Sequence, residues 1–364
     1  MLTELDALII LTTIPHLGSV RIRLLLQHYG SALNALQTDA ASIAQLPDFG
    51  PKIAEGWLHW KHSGWQDNLE LAQKLRVDIV PFTSNVYPKA LLELPDYPVV
   101  LYMKGTLKPR DQQSIAVIGT RQASIYGLEM AKKISSDLAL SGFTVVSGLA
   151  RGIDTAAHEG ALVTGRTIAV IGSGLADIYP RENSRLAERV SENGVLISEF
   201  PMATPPDRQN FPQRNRIVAG MTRGTFLVEA PLKSGAMITV DRALTYKRKL
   251  FALPGRIDQG MFQGNHHVIK TRQGQLVENA TDIVNSFDDL FSLVNTTKTT
   301  QLPTFSLGKE EQEFMSVLPK NELSIDEIVQ LTKLPVMRVN VLLMSLVLKK
   351  AMKEFPGRMY KRAG

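Results

Sequence analysis

The residues of this 364-residue chain that could do chemistry gather in its middle. Gly119-Thr120-Arg121 closes an apolar run. Glycine permits a tight strand-to-helix turn there, and free amides in such a turn attract an anion. Arg121 adds a charge-assisted contact that a phosphate can accept with two oxygens. The spacing is not G-x-G-x-x-G, so this turn carries no dinucleotide fingerprint. Ser147-Gly148-Leu149-Ala150-Arg151-Gly152-Ile153-Asp154 puts two glycines, an arginine and an aspartate in one loop. Arg151 either touches a ligand or pairs with Asp154 to hold the loop, and spacing alone leaves both open. Arg181, just ahead of a helix, is a second phosphate contact or a solvated helix-start cation.

Arg208-Gln209-Asn210-Phe211-Pro212-Gln213-Arg214-Asn215-Arg216 interleaves cations and amides with one aromatic ring. Cations that follow a backbone, with a ring that stacks on a base, are how single strands are held. The arginines at 208, 214 and 216 recur without balancing acids, which favours binding over a core phenylalanine beside a solvated face. Further on, Lys233 supplies another cation. Ser234-Gly235 offers a hydroxyl and amides at a helix start.

Other candidates read as structure. His158 lies one helical turn after Asp154, but no nucleophile or metal set accompanies it, so a satisfied buried histidine is expected. His266-His267 lacks a third ligand at suitable spacing, so no metal is expected. Gly224-Thr225-Phe226-Leu227-Val228-Glu229 faintly resembles the glycine-rich signature of phosphoribohydrolases but lacks its Pro-Gly-Gly. Glu229 as a general base is therefore the enzyme alternative: a Rossmann-type nucleotide or nucleoside hydrolase.

These loops need a scaffold that lines them up. Short apolar runs at Ile115–Ile118, Thr144–Val146, Thr167–Ile171, Val195–Ser198, Phe226–Val228 and Leu250–Leu253 alternate with helical patterns. Strands this apolar indicate an α/β fold with a parallel, Rossmann-like sheet covered on both faces. Its ligands bind outside the carboxyl ends of the strands. Residues 101–285 form this core. Residues 1–100 read as helices and turns, with glycine hairpins at Gly18 and Gly50 opening helices in a helix-hairpin-helix pattern. Residues 286–308 are polar and aperiodic, a linker. Residues 309–364 give three helices, one starting at the capping box Ser324–Glu327, and a hairpin signal at Pro356-Gly357, which together describe a winged helix.

Composition bounds the function. Hydrophobic residues make up 44% and charged residues 21%, enough for a real core. There is no cysteine, which removes disulfides and thiolate chemistry and suits a reducing cytoplasm. No basic leader and no bilayer-length apolar run is evident, so no membrane association is expected. The net charge of +6 hints at an anionic partner. It is uneven: residues 1–100 hold 7 Lys+Arg against 10 Asp+Glu, while 320–364 hold 9 against 4.

Taken in order, Gly119-Thr120-Arg121, the 147–154 loop with His158, Tyr179-Pro180, Ser198-Glu199, Phe211–Arg216, Ser234-Gly235, and Leu253-Pro254-Gly255 with Gly264-Asn265 resemble the DprA/Smf family, the DNA-processing protein A of bacterial transformation. The turn reads Gly-Thr-Arg where Gly-Ser-Arg is common, which keeps the hydroxyl. The resemblance implies an extended Rossmann core that binds single-stranded DNA, forms a homodimer and loads the recombinase RecA, without catalysis or cofactor. It implies a SAM-like or helix-hairpin-helix domain before the core and a winged helix after it. A third reading, a transcription regulator acting through the winged helix, would contact duplex DNA with a recognition helix around Arg338. The residues the resemblance points to are Arg121, Arg181, Arg208, Phe211 and Asn215, with Lys233, Ser234 and Gly235; the residue types above add Thr120, Arg151 and Arg214.

Overall fold

Helices come first because the sequence caps them. Thr3 and Asp6 form a capping box for α1 (Glu4–Thr13), and Gly30 closes α2 (Ser19–Tyr29) in the left-handed conformation. Short helices α3 (Ala32–Leu36), α4 (Ala40–Ala44), α5 (Pro51–Leu58) and α6 (Trp65–Lys74) complete this layer. The computed structural model describes residues 2–287, 308–319, 321–348, 351–355 and 359–362.

The sheet begins earlier than the sequence suggests. Strand β1 (Asp78–Pro81) pairs antiparallel with β2 (Val100–Gly105), which pairs antiparallel with β6 (Val195–Ser198). Residues 78–81 and 100 therefore belong to the sheet, so residues 1–100 are not a purely helical module. Four residues ending in proline carry too little alternation to be seen, and proline is tolerated because β1 lies at the edge.

The remaining strands are β3 (Ser114–Gly119), β4 (Thr144–Ser147), β5 (Thr167–Val170), β7 (Gly224–Glu229), β8 (Lys249–Ala252) and β9 (Gln275–Leu276). The order is β1-β2-β6-β5-β4-β3-β7-β8-β9, parallel from β6 to β9. Alternate residues serve opposite faces. Ile115 and Val117 join α8 (Ile125–Leu140) and α9 (Ile153–Thr164) in one core. Ala116 and Ile118 join α11 (Asn210–Gly220) and α12 (Gly235–Thr245) in the other. Helix α7 (Lys89–Leu92) precedes β2 and α10 (Ser184–Asn193) precedes β6, with α13 (Gln263–Thr271) and α14 (Ala280–Val284) after β8. The N-terminal helices pack on Val100, Tyr102, Ala169 and Leu196 of the same sheet, so residues 1–290 form one unit.

Chain progression β3→β4→β5→β6 runs one way across the sheet, then returns to β7 beside β3. That reversal opens a crevice at the carboxyl ends of β3 and β7.

The second unit, taken by itself, holds α15 (Lys309–Val317), α16 (Ile325–Thr332), α17 (Val336–Leu348) and a sheet of β10 (Leu323–Ser324), β12 (Met359–Arg362) and β11 (Met352–Phe355) in that order. Ser324 and Glu327 make the expected capping box. Phe314, Ile328, Leu342 and Leu346 fill the core. The expected Pro356-Gly357 turn, and nearly all of the 286–308 linker, lie outside the described residues. Among the described residues no helix is long and apolar enough to cross a membrane.

Candidate nucleic-acid interface

A cleft of about 570 Å3 occupies the β3/β7 crevice. The turn after β3 brings Thr120 and Arg121, α11 brings Phe211, Arg214 and Asn215, and the start of α12 brings Ser234 and Gly235, with Arg208 and Lys233 from the preceding loops. The structure thus gathers nine of the eleven sequence candidates, from segments more than a hundred residues apart.

The Gly119-Thr120-Arg121 turn is held differently from the expectation of free amides. Thr120 N donates to Glu229 O at 2.7 Å, and Gln122 N donates to the Thr120 hydroxyl at 3.2 Å. Two of its amides are thus taken up internally, and the Arg121 side chain is the charged group on offer. The Arg121 guanidinium lies 4.8 Å from the Phe211 ring centroid, a cation–π arrangement. Arg121, Arg208 and Lys233 are exposed. None of the three forms an ion pair among the described residues. Gly152, at φ +74°, lies so close beneath this turn that a Cβ would come within 2.5 Å of Thr120 O. Only glycine fits there.

Asn215 Nδ2 donates to Gly235 O at 3.3 Å, which ties α11 to the start of α12. The Ser234 hydroxyl accepts from Ala236 N at 3.1 Å as the α12 N-cap.

Arg214 and Arg216 correct the expectation of an acid-free arginine run. Arg216 is buried against the Glu199 carboxylate on the face of α11 away from the cleft, with Asp96 Oδ2 3.9 Å off. Arg214 is only 4% exposed and donates from Nη1 to Val170 O. It forms the floor of the cleft. Burial pushes its pKa down to about 10, opposed by the nearby Asp154. A Cβ on Gly148 would overlap the Arg214 guanidinium, so that glycine gives it room. The acids are invisible in the 208–216 run because they come from other elements.

Arg151 and Arg181 do not line this cleft. Arg151 pairs with Glu182, through Nε and with Nη2 2.9 Å from Oε2, rather than with Asp154. This bond holds the Glu182 carboxyl below its ordinary range. Asp154 accepts instead from Gly148 N at 3.1 Å and Ala150 N at 3.4 Å, so the carboxylate braces the loop by itself. Arg181 is 85% exposed on its side chain and 3.7 Å from Asp177.

His158 is fully buried and structural in its contacts. Its Nε2 accepts from Leu149 N at 3.3 Å and its Nδ1 donates to Thr167 Oγ1 at 2.7 Å. The Thr167 hydroxyl is itself spent on Val145 O, which fixes this neutral tautomer. Burial, with Arg214 adding to it, takes the His158 pKa down to about 3. Glu229 is buried and accepts from Ser124 N at 3.1 Å and Ser124 Oγ at 2.6 Å. It fastens the start of α8 and is not among the cleft-lining residues. His266 Nε2 meets Gly255 O at 3.0 Å. Among the described residues no group of histidines and carboxylates is placed to hold a metal.

Tyr179 is a site neighbour that residue types and spacing do not single out. It stands 40% exposed with its ring centroid 5.9 Å from that of Phe211. Its signal in the sequence is an aromatic residue in a loop closing a strand, shortly after two glycines.

Residues 78–288 match the family described as DNA recombination-mediator protein A. Protein Smf of Synechocystis is 36% identical over 307 residues, covering 81% of this chain and 72% of that protein. The chain belongs to the DprA/Smf family. DNA processing protein DprA of Streptococcus pneumoniae is 41% identical over 206 residues, 56% of this chain and 72% of that one. The X-ray structure of the Streptococcus pneumoniae family member superposes with a TM-score of 0.69 at 31% identity, covering 79% of this chain and 99% of that chain. A Helicobacter pylori member, described for its single-stranded DNA binding mode, superposes at 0.53 and 30% identity over 58% of this chain and 96% of that chain.

Proposed function

We propose that this chain binds single-stranded DNA in the β3/β7 cleft and hands it to the recombinase RecA, as a non-catalytic homodimer in the cytoplasm. The observation that carries the binding is Arg121: exposed, in no ion pair among the described residues, and stacked on Phe211. Arg208 and Lys233 extend the positive rim. Cations fix phosphates while Phe211 takes a base face, so binding is largely independent of sequence. The Helicobacter pylori relative's single-strand binding supports the same ligand. The family's description as a recombination mediator supports delivery to a recombinase.

The hydrolase alternative draws less support, because both Glu229 oxygens accept from Ser124 and Glu229 does not line the cleft. A duplex contact through Arg338 in the C-terminal unit would have to displace Glu310, which accepts two bonds from it, at 2.9 and 2.6 Å. Competition binding tests the proposal. A labelled oligo-dT bound to the protein resists equal-length duplex competitor, and the complex accelerates RecA filament formation on that strand. Preferential duplex binding, or base release from nucleoside monophosphates, contradicts it.

A further inference from the structure

Phe211 and Arg121 belong to two cavities at once. Besides the main cleft, they line a small recess of about 40 Å3 shared with Gly148, Arg151, Gly172 and Tyr179. This recess continues the line of strand ends from β3 through β4 to β5. The Phe211 ring fits over Gly172 because no Cβ is present, which would lie 2.9 Å from Phe211 Cδ1. Tyr179 then stands at the outer end, tilted 42° to Phe211. Two exposed cations accompany it, Arg151 in the recess lining and Arg181 two residues along the chain, with side chains 60% and 85% exposed.

We propose that Tyr179 is a second stacking platform, over which the strand leaves the Phe211 cleft toward β5, with a phosphate displacing Glu182 from Arg151. This rests on the single-strand reading of the main cleft. Three observations support it. An aromatic ring with an exposed face next to another ring suits successive bases, since every base has a π-face. Arg151 offers a planar fork that a phosphodiester can take over from a carboxylate. The Arg151–Glu182 pair lies at the surface, where such pairs are worth little and exchange readily. Glu182 is then a counter-ion that keeps Arg151 oriented until a strand arrives.

The test compares Tyr179→Ala, Tyr179→Phe and Glu182→Gln with wild type, on two oligo-dT lengths. One just fills the main cleft, and the other is longer by a few nucleotides. Tyr179→Ala should weaken the longer oligonucleotide by about tenfold, the worth of one stacked base, and leave the shorter one unchanged. Tyr179→Phe should bind as wild type. Glu182→Gln should tighten the longer oligonucleotide by up to about fivefold, the scale of an exposed ion pair. Independently of any substitution, 2-aminopurine placed beyond the Phe211 nucleotide should be quenched on binding to wild type. Equal binding by Tyr179→Ala at both lengths, or no quenching at that position, overturns the proposal. So does equal loss by Tyr179→Phe, which would make the hydroxyl the important group. If neither length binds wild type, the main-cleft reading fails and takes this one with it. If the short oligonucleotide binds and only the extension does nothing, this one fails alone.

Discussion

The hairpin at Gly18 and the cleft at Gly119 both put glycine ahead of a helix, the arrangement that can hold a phosphate. At Gly18 the start of α2 has no side-chain cap, so backbone donors are left over. Its cation is not: Arg21 donates to Asp48 O at 2.8 Å and to His16 O at 3.1 Å. At Gly119 the situation is reversed. Two backbone donors are taken up by Glu229 and Thr120, while among the described residues Arg121, Arg208 and Lys233 form no ion pair with an acid. An uncapped helix start attracts an anion with only a fraction of a charge. A free guanidinium brings a whole one, with two directed bonds. The contrast teaches that uncommitted side-chain cations, rather than glycine-opened helices, mark the site in this chain.

The predictions set supporting residues against contacting ones. Arg216→Ala should have the largest effect, a loss of about 3–5 kcal/mol of stability, because it leaves buried Glu199 uncompensated. Denaturant unfolding reads this directly, and a loss under about 1 kcal/mol would show that the pair is not a support. His158 should give a pH-dependent loss. Its folded pKa is about 3, below the ordinary 6.5, so on acidification the unfolded chain takes the proton first. Its contribution is fully present above about pH 6.5 and falls away as pH drops toward 3. Replacing His158 with Gln should flatten the fall in melting temperature across that window. An unchanged slope would mean other groups dominate acid unfolding.

Phe211→Ala should cost about 1–3 kcal/mol of single-strand affinity, the worth of one stacked base, and titration with oligo-dT measures it. Lys233→Ala should reduce the salt dependence of binding by about 0.7 in log–log slope, one phosphate's share on a single strand. Arg21→Ala should change neither the affinity nor that slope. A loss with Arg21→Ala equal to that with Lys233→Ala would erase the contrast between the two regions.

Much of the fold is legible in the amino-acid sequence. Strands β3 to β8 are buried on both faces, so they appear as unbroken apolar runs, and their order in the chain implies a crevice at their ends. Strand β1 escapes because four residues ending at Pro81 show no pattern. In the candidate site, residue types at strand ends bring out Thr120, Arg121 and Lys233, and an aromatic set among cations brings out Phe211. They do not separate Arg208 from Arg214. Helical spacing places Phe211, Arg214 and Asn215 on one side of α11 and Arg216 on another. Which arginine is buried depends on Val170 O, Asp154 and Glu199, supplied by other elements. Spacing leaves Arg151 open for the same reason, since its partner Glu182 lies 31 residues away.

The most direct test is fluorescence anisotropy of labelled oligo-dT with wild type and Arg121→Ala, at low and high salt. Arg121 is exposed and forms no ion pair among the described residues, so its removal should leave stability within about 0.5 kcal/mol. A single-strand site built on this guanidinium predicts affinity lowered by more than about tenfold, on the scale of lost charged hydrogen bonds, and a shallower salt dependence. Wild-type affinity and salt dependence in a folded Arg121→Ala protein would contradict it and move the DNA away from the β3/β7 cleft.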